Sequence, residues 1–374
     1  MLLHTVTYTM NADSNQHHTS NMPRSNRIRW IDIGKGVGIV LVSFGHIRNG
    51  NGESVWLPAL NTPINFIYLF HMPLFFFLGG LTFSSRRAFP VFLKIKAKTL
   101  LIPYYVFSLY FLAKPITALV RPDLVSQMQA HQDYTANMWR QFYNVLVGGQ
   151  GLWFLWAYFI GELIVYPLHR KYKAAWQYTT TGLVFIIANT LFTYYFSQIS
   201  IPFCIVSGIK VAGFMLLGIA SKQWLLSMTR TPALGMFAVT TASFIAMAML
   251  ADTIASPFLK GTSNFLAMFL GVAATVFLSI SLIHNSILEH IGRYSLSFYV
   301  VNALTLNIGK ILFFRILHIN GQHANTAMQW LYGIALTIFC LALLWIEDLL
   351  IRKLIPWSVG MKRQKQLSTE SDAM

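Results

Sequence analysis

Runs of about twenty apolar residues follow one another along this chain, and that succession limits what it can fold into. A helix rising about 1.5 Å per residue needs roughly 20 such residues to cross the hydrocarbon layer of a bilayer. Runs of this kind lie near 31–48, 62–83, 99–119, 144–167, 175–195, 203–221, 232–251, 264–286, 295–316 and 328–350. They predict an all-α, polytopic membrane protein with about ten transmembrane helices. Composition agrees, at 55% hydrophobic, 11% charged and a mean hydropathy of +0.53 over 374 residues. These values exclude an ordinary soluble globule.

Ten spans would put both ends of the chain on one side, and the cations say which. With this layout, nineteen of the 28 Lys and Arg fall in segments on the side of the termini. Only Arg48, Arg121, Arg140 and Lys260 fall in the opposite loops, and five lie within spans. Cytoplasmic loops carry the excess of Lys and Arg, so both termini are expected in the cytoplasm of a multi-pass cell-membrane protein. The net charge of +16 is spread over short clusters between apolar runs, which does not describe a nucleic-acid binder. Cys204 and Cys340 stand in apolar runs and read as buried free thiols, with no disulfide framework and no metal cluster. Residues 1–26 are polar, lack a signal-peptide core and read as a disordered cytoplasmic tail. His17 and His18 within it are too few for a metal site. A membrane domain over 27–354 and a solvated cytoplasmic tail over 355–374 complete the division.

The first run, RWIDIGKGVGIVLVSFGHIR over 29–48, carries a cation near its start and an imidazole near its end. Lys35 and His46 are eleven helical steps apart, about 20° around the axis and about 16 Å along it. One helix face thus offers a cation and a distant imidazole, which suits a long, thin ligand with an anionic head and a reactive tail. Asp32, three residues before Lys35, can pair with it. The plainer reading is that Lys35 snorkels to the interface and His46 bonds a neighbour.

Other polar residues stand inside or beside the runs. His71 falls mid-span, and Pro73 beside it should kink the helix and free a carbonyl. The two histidines could face one cavity, or His71 could simply bond a backbone group. Gly79 and Gly80 allow close helix approach. Arg86, Arg87, Lys94, Lys96 and Lys98 crowd one loop. They hold the loop inside, and they could also clamp phosphates at the cytoplasmic mouth. The outward loop 120–143, with Pro122, Asp123, Asp133 and Tyr134, could cap an opening. Glu162 is a carboxylate well inside a span, costly there unless paired or lining a polar cavity. Lys210 and Lys310 are its possible partners. Arg293 and Tyr294 stand at the inner face before the ninth run, and Asn302 lies a third of the way into it. No glycine-rich phosphate loop, metal-ligand cluster or serine-hydrolase elbow is present.

Five blocks together point to a family. RIRWIDIGKGVGIVLVSFGH, FHMPLFFFLGG, the basic loop leading into LLIPYY, GLWFLWAYFIGEL and IGRYSLSFYVVN resemble the successive blocks of the acyltransferase family 3 membrane proteins. The likeness runs over about 27–350 and is greatest to the fucose 4-O-acetylase-like branch. The family signature is a basic residue, ten residues, then His, and Lys35 to His46 fits it. The resemblance implies a ten-helix enzyme that moves an acyl group, usually acetyl, from a cytoplasmic coenzyme A thioester. The acceptor would be a hydroxyl of a cell-surface glycan or its lipid-linked precursor. His46 takes the place of the essential histidine and Lys35 that of its basic partner. Lysines replace the family's arginines just before LLIPYY, and Asn302 stands where a late histidine is common.

The chemistry implied is general-base catalysis, with a histidine taking the proton of the acceptor hydroxyl. Direct transfer with His46 as base is favoured over a covalent acyl-histidine relay. The expected catalytic residues are His46, Lys35, Glu162 and His71. The expected donor-binding residues are Lys35, Arg86, Arg87, Lys94, Lys98 and Arg293, with acetyl-CoA as donor and no metal. The expected partners are acetyl-CoA, a glycan or lipid-linked sugar, and the lipid bilayer, but no nucleic acid. The rival reading is a transporter or flippase for a glycan or lipid-linked sugar, which would also explain the spans and the intramembrane charges.

Overall fold

The computed structural model describes residues 27–48, 53–120, 138–149, 151–199, 201–282 and 284–361. The tail 1–26, most of the loop 120–143 and residues 362–374 lie outside them. The described residues form helices and no strands. In chain order they are α1 Arg29–Gly45, α2 Asn61–Leu81, α3 Phe89–Lys96, α4 Ile102–Val120, α5 Met138–Leu146, α6 Trp153–Lys171, α7 Ala175–Tyr195, α8 Ile205–Ser227, α9 Arg230–Thr253, α10 Pro257–Ser281, α11 Ser286–Arg293, α12 Ser295–Lys310 and α13 Thr326–Leu354. Among the described residues, six helical segments are long and apolar enough to cross a membrane: Pro58–Leu81, Pro202–Ser227, Arg230–Thr253, Pro257–Ser281, Ser295–Ile316 and Thr326–Leu354. Large apolar side chains such as Val239, Ile245, Met249 and Leu250 of α9 point outward and exposed. A soluble protein rarely shows so continuous an apolar face, whereas a bilayer covers it.

Two boundaries differ from the sequence reading, each for a local reason. The expected span 144–167 is divided, because Gly149 (φ 76°) and Gly151 (φ 91°) adopt left-handed backbone between α5 and α6. A side chain would be strained there, and glycine is not. The expected span 264–286 ends at Ser281 instead. The Asn285 side chain accepts from the Leu288 amide at 3.0 Å and starts α11 as a separate helix.

α1 is the centre of the assembly, packed against α2, α10, α11, α12 and α13. Its glycines set how closely the neighbours come. A Cβ on Gly36 would lie 2.2 Å from the Leu288 carbonyl oxygen, and one on Gly292 would lie 1.7 Å from that of Asp32. Backbone therefore meets backbone where α11 crosses the first half of α1. α8 packs against α2, α6 and α7, with Gly80 facing the Met215 backbone. The helix α2 runs on through Pro73, which has no N–H to offer the Leu69 carbonyl. After α13 the chain makes a tight turn, Pro356–Val359, in which Pro356, Ser358 and Val359 are buried.

Candidate active site

Two chambers lie end to end beside α1. The larger, about 360 Å³, is lined by His46, Tyr68, His71, Pro73, Asn302 and Lys210, among others. The smaller, about 240 Å³, is lined by Lys35, Thr99, Tyr158 and Ser295 and by apolar walls from Phe75, Leu100 and Phe154. Met72 and Tyr299 line both. The eleven-step spacing on α1 thus delivers Lys35 to one chamber and His46 to the next.

The imidazole of His46 is held in a defined state. Its Nδ1 is 2.8 Å from the carbonyl oxygen of Val42, one turn back. A carbonyl only accepts, so Nδ1 carries the proton of the neutral ring and Nε2 keeps the lone pair. His71 repeats the arrangement, with Nδ1 2.9 Å from the Ile67 oxygen. Tyr68 stands between the two, its ring centroid 5.7 Å from that of His46 and 4.7 Å from that of His71. The Arg48 guanidinium lies 3.4 Å over the Tyr68 ring. The end of α1 is fixed by Lys310, whose ammonium donates to the oxygens of His46 (2.7 Å) and Arg48 (2.8 Å). Helix C-termini leave such carbonyls without partners, and a cation there is favourable. Asn302 donates to the Ser43 hydroxyl at 2.7 Å, while its Oδ1 is buried without a partner.

Lys35 makes no ion pair and no hydrogen bond among the described residues. Asp32, expected to pair with it, comes within 3.9 Å of Arg27 and attracts the Lys35 ammonium from beyond ion-pair distance. Glu162 lines neither chamber. Its partner is Lys96, which donates to Oε1, and not Lys210 or Lys310. The sequence pairing missed this because Lys96 was read only as a loop cation, whereas it reaches inward from the end of α3. The remaining donor-binding candidates, Arg86, Arg87, Lys94, Lys98 and Arg293, are exposed and line neither chamber. Two of them flank the smaller one in sequence. Lys98 precedes Thr99 and Leu100, and Arg293 stands two residues before Ser295.

Several residues of the site carried no sequence signal. Tyr299 and Met72 become a shared wall only when α2 and α12 both pack on α1. An aromatic group surrounds that wall, with Phe154 5.1 Å from Tyr299 and 5.2 Å from Phe76 between ring centroids. Asp348 on α13, fully buried, accepts from Arg352 at 2.9 Å and lies 3.4 Å from His290 of α11. The four-residue spacing puts Asp348 and Arg352 on one face of α13, a signal present in the sequence itself. Among the described residues, no group of three or more His, Cys, Asp or Glu is placed to hold a metal ion.

Residues 28–346 match the acyltransferase domain model of acyltransferase family 3. The chain belongs to that family, and its apolar helices make it a membrane acyltransferase. No curated protein and no solved structure matches it.

Proposed function

We propose that the protein is an O-acetyltransferase that takes acetyl from cytoplasmic acetyl-CoA. It passes the group to a hydroxyl of a cell-surface polysaccharide or its lipid-linked precursor, as in the fucose 4-O-acetylase-like branch. It does so with about ten spans and both termini in the cytoplasm. The observation that carries the reading is the pair of chambers abutting at Met72 and Tyr299, one lined by Lys35 and the other by His46.

The ammonium of Lys35, without a close partner among the described residues, suits a phosphate of the donor, and Lys98 and Arg293 stand next in sequence to residues lining its chamber. Apolar walls of the smaller chamber suit a pantetheine arm, which is of the order of the 16 Å between Lys35 and His46. The acceptor then occupies the larger chamber. Nε2 of His46 takes the hydroxyl proton as the oxygen attacks the thioester carbonyl carbon. The tetrahedral intermediate collapses, the carbon–sulfur bond breaks, and the departing thiolate receives the proton from the imidazolium. Acetyl ends on the acceptor oxygen and free coenzyme A is released. His71, beside Tyr68 in the same chamber, is placed to orient the acceptor.

The test uses the purified full-length protein, acetyl-labelled coenzyme A and a membrane glycan extract. Glycan-dependent transfer should disappear in His46→Ala, and acetyl-CoA binding should weaken in Lys35→Ala. Transfer that survives in His46→Ala removes that residue as base. Neither binding nor transfer by folded wild-type protein removes the enzyme in favour of transport.

A further inference from the structure

The larger chamber has a second polar wall, away from α1 in the chain, that the transfer chemistry does not use. It is built by α7 and α8, which supply Asn189, Thr193, Ser207 and Lys210. Asn189 donates from Nδ2 to the Val206 oxygen at 2.7 Å, which ties α7 to the first turn of α8. The Thr193 hydroxyl donates back to the Asn189 oxygen at 2.9 Å. Lys210 differs from these. It is partly buried, it lines the chamber, and among the described residues it makes no ion pair and no hydrogen bond. The chamber's described lining contains no carboxylate.

An ammonium inside a membrane helix is costly without a partner, and such residues mark ligand paths. A leucine or methionine would fill the position at no electrostatic cost. The other partly buried lysine near this chamber, Lys310, is accounted for by the carbonyls it binds. Lys210 has no such internal role. The chamber thus offers an anion a point charge and the Ser207 hydroxyl, in the same space as the His46 imidazole.

Resting on the transferase reading, we infer that Lys210 binds the anionic group of an acidic acceptor. Its chemistry is that of a carboxylate or phosphate oxygen, supplied by an acidic sugar or by the phosphate of a lipid-linked sugar.

The experiment supplies purified full-length protein with acetyl-labelled coenzyme A and the glycan and lipid-linked sugar extract of the organism's own membranes. Products are separated by anion exchange. Label should collect in the acidic fraction. Lys210→Met should lower transfer at limiting extract about 10–100-fold, the range for losing one charged hydrogen-bonding contact. Lys210→Arg should retain much of it, and acetyl-CoA affinity should stay within about twofold in both, which also shows that the variants fold. Two pretreatments separate the sources. Carboxyl reduction of the extract abolishes transfer if the anion is a carboxylate. Mild acid, which cleaves sugar phosphates at the anomeric centre, abolishes it if the anion is a phosphate. Label confined to neutral products overturns the inference, as does wild-type transfer by Lys210→Met. A parallel loss of acetyl-CoA binding in Lys210→Met assigns the lysine to the donor and overturns it too. No label in any fraction removes the transferase reading, and this inference with it.

Discussion

The ammonium of Lys310 stands 2.7 Å from the main-chain oxygen of His46, so the end of α12 holds the turn that carries the imidazole. Lys310→Met leaves the carbonyls of His46 and Arg48 without that donor. Each such charged contact is worth about 1.5–3 kcal/mol. We expect kcat for acetyl transfer to fall roughly tenfold or more, with the dissociation constant of acetyl-CoA unchanged. Equal losses in both would show that Lys310 acts on the whole fold.

Glu162 and Lys96 make an asymmetric pair, since the carboxylate is buried and the lysine is partly exposed. Lys96→Met strands a buried carboxylate with one oxygen already unpartnered. Glu162→Gln only releases a lysine that can turn to water. Thermal unfolding in detergent should therefore drop more for Lys96→Met than for Glu162→Gln. The double variant should regain part of the loss, with a coupling of about 0.5–3 kcal/mol. Additive losses would mean that the two residues do not act as a pair.

Gly36 admits the backbone of α11, and a methyl group there would sit 2.2 Å from the Leu288 oxygen. Backbone cannot swing aside as a side chain can. Gly36→Ala should destabilise by about 1–3 kcal/mol, typical of overpacking. Because α11 leads into Ser295 and Leu296 of the Lys35 chamber, acetyl-CoA affinity should fall as well. A variant that melts and binds like wild type would show that the two helices separate freely.

Tyr299 lines both chambers, with Phe154 against its ring. Tyr299→Ala should join the two spaces and admit water to the thioester. Coenzyme A release without acceptor should then rise several-fold relative to transfer, while Tyr299→Phe behaves like wild type. Unchanged release in Tyr299→Ala would assign the separation of the chambers to Met72.

Much of this was legible because it lies within single helices. The run 175–195 coincides with α7, Ala175–Tyr195, since nothing inside it breaks a helix. Lys35 lies in α1 and His46 caps its end, so simple helix arithmetic sends them to successive chambers on one side. The division at Gly149 and Gly151 was written in the sequence too, as a glycine cluster inside an apolar run, but hydropathy outweighed it. What sequence could not supply were meetings between helices. Lys96 reaches Glu162 across 66 positions, and Lys310 reaches the His46 oxygen across 264. Sequence puts Lys96 in a basic loop and Lys310 inside a span, and only the packing gives one a carboxylate and the other a helix end. Lys210, with neither, could be singled out only after the others had been accounted for.

A continuous wet path from Lys35 to His46 would let protons and salts run down their gradients. Met72 and Tyr299 stand between the two spaces as a thioether and a phenol ring. On the reading proposed above, the bulky nucleotide stays on the Lys35 side of that wall, only its slender arm reaches past, and the bilayer keeps its electrical insulation.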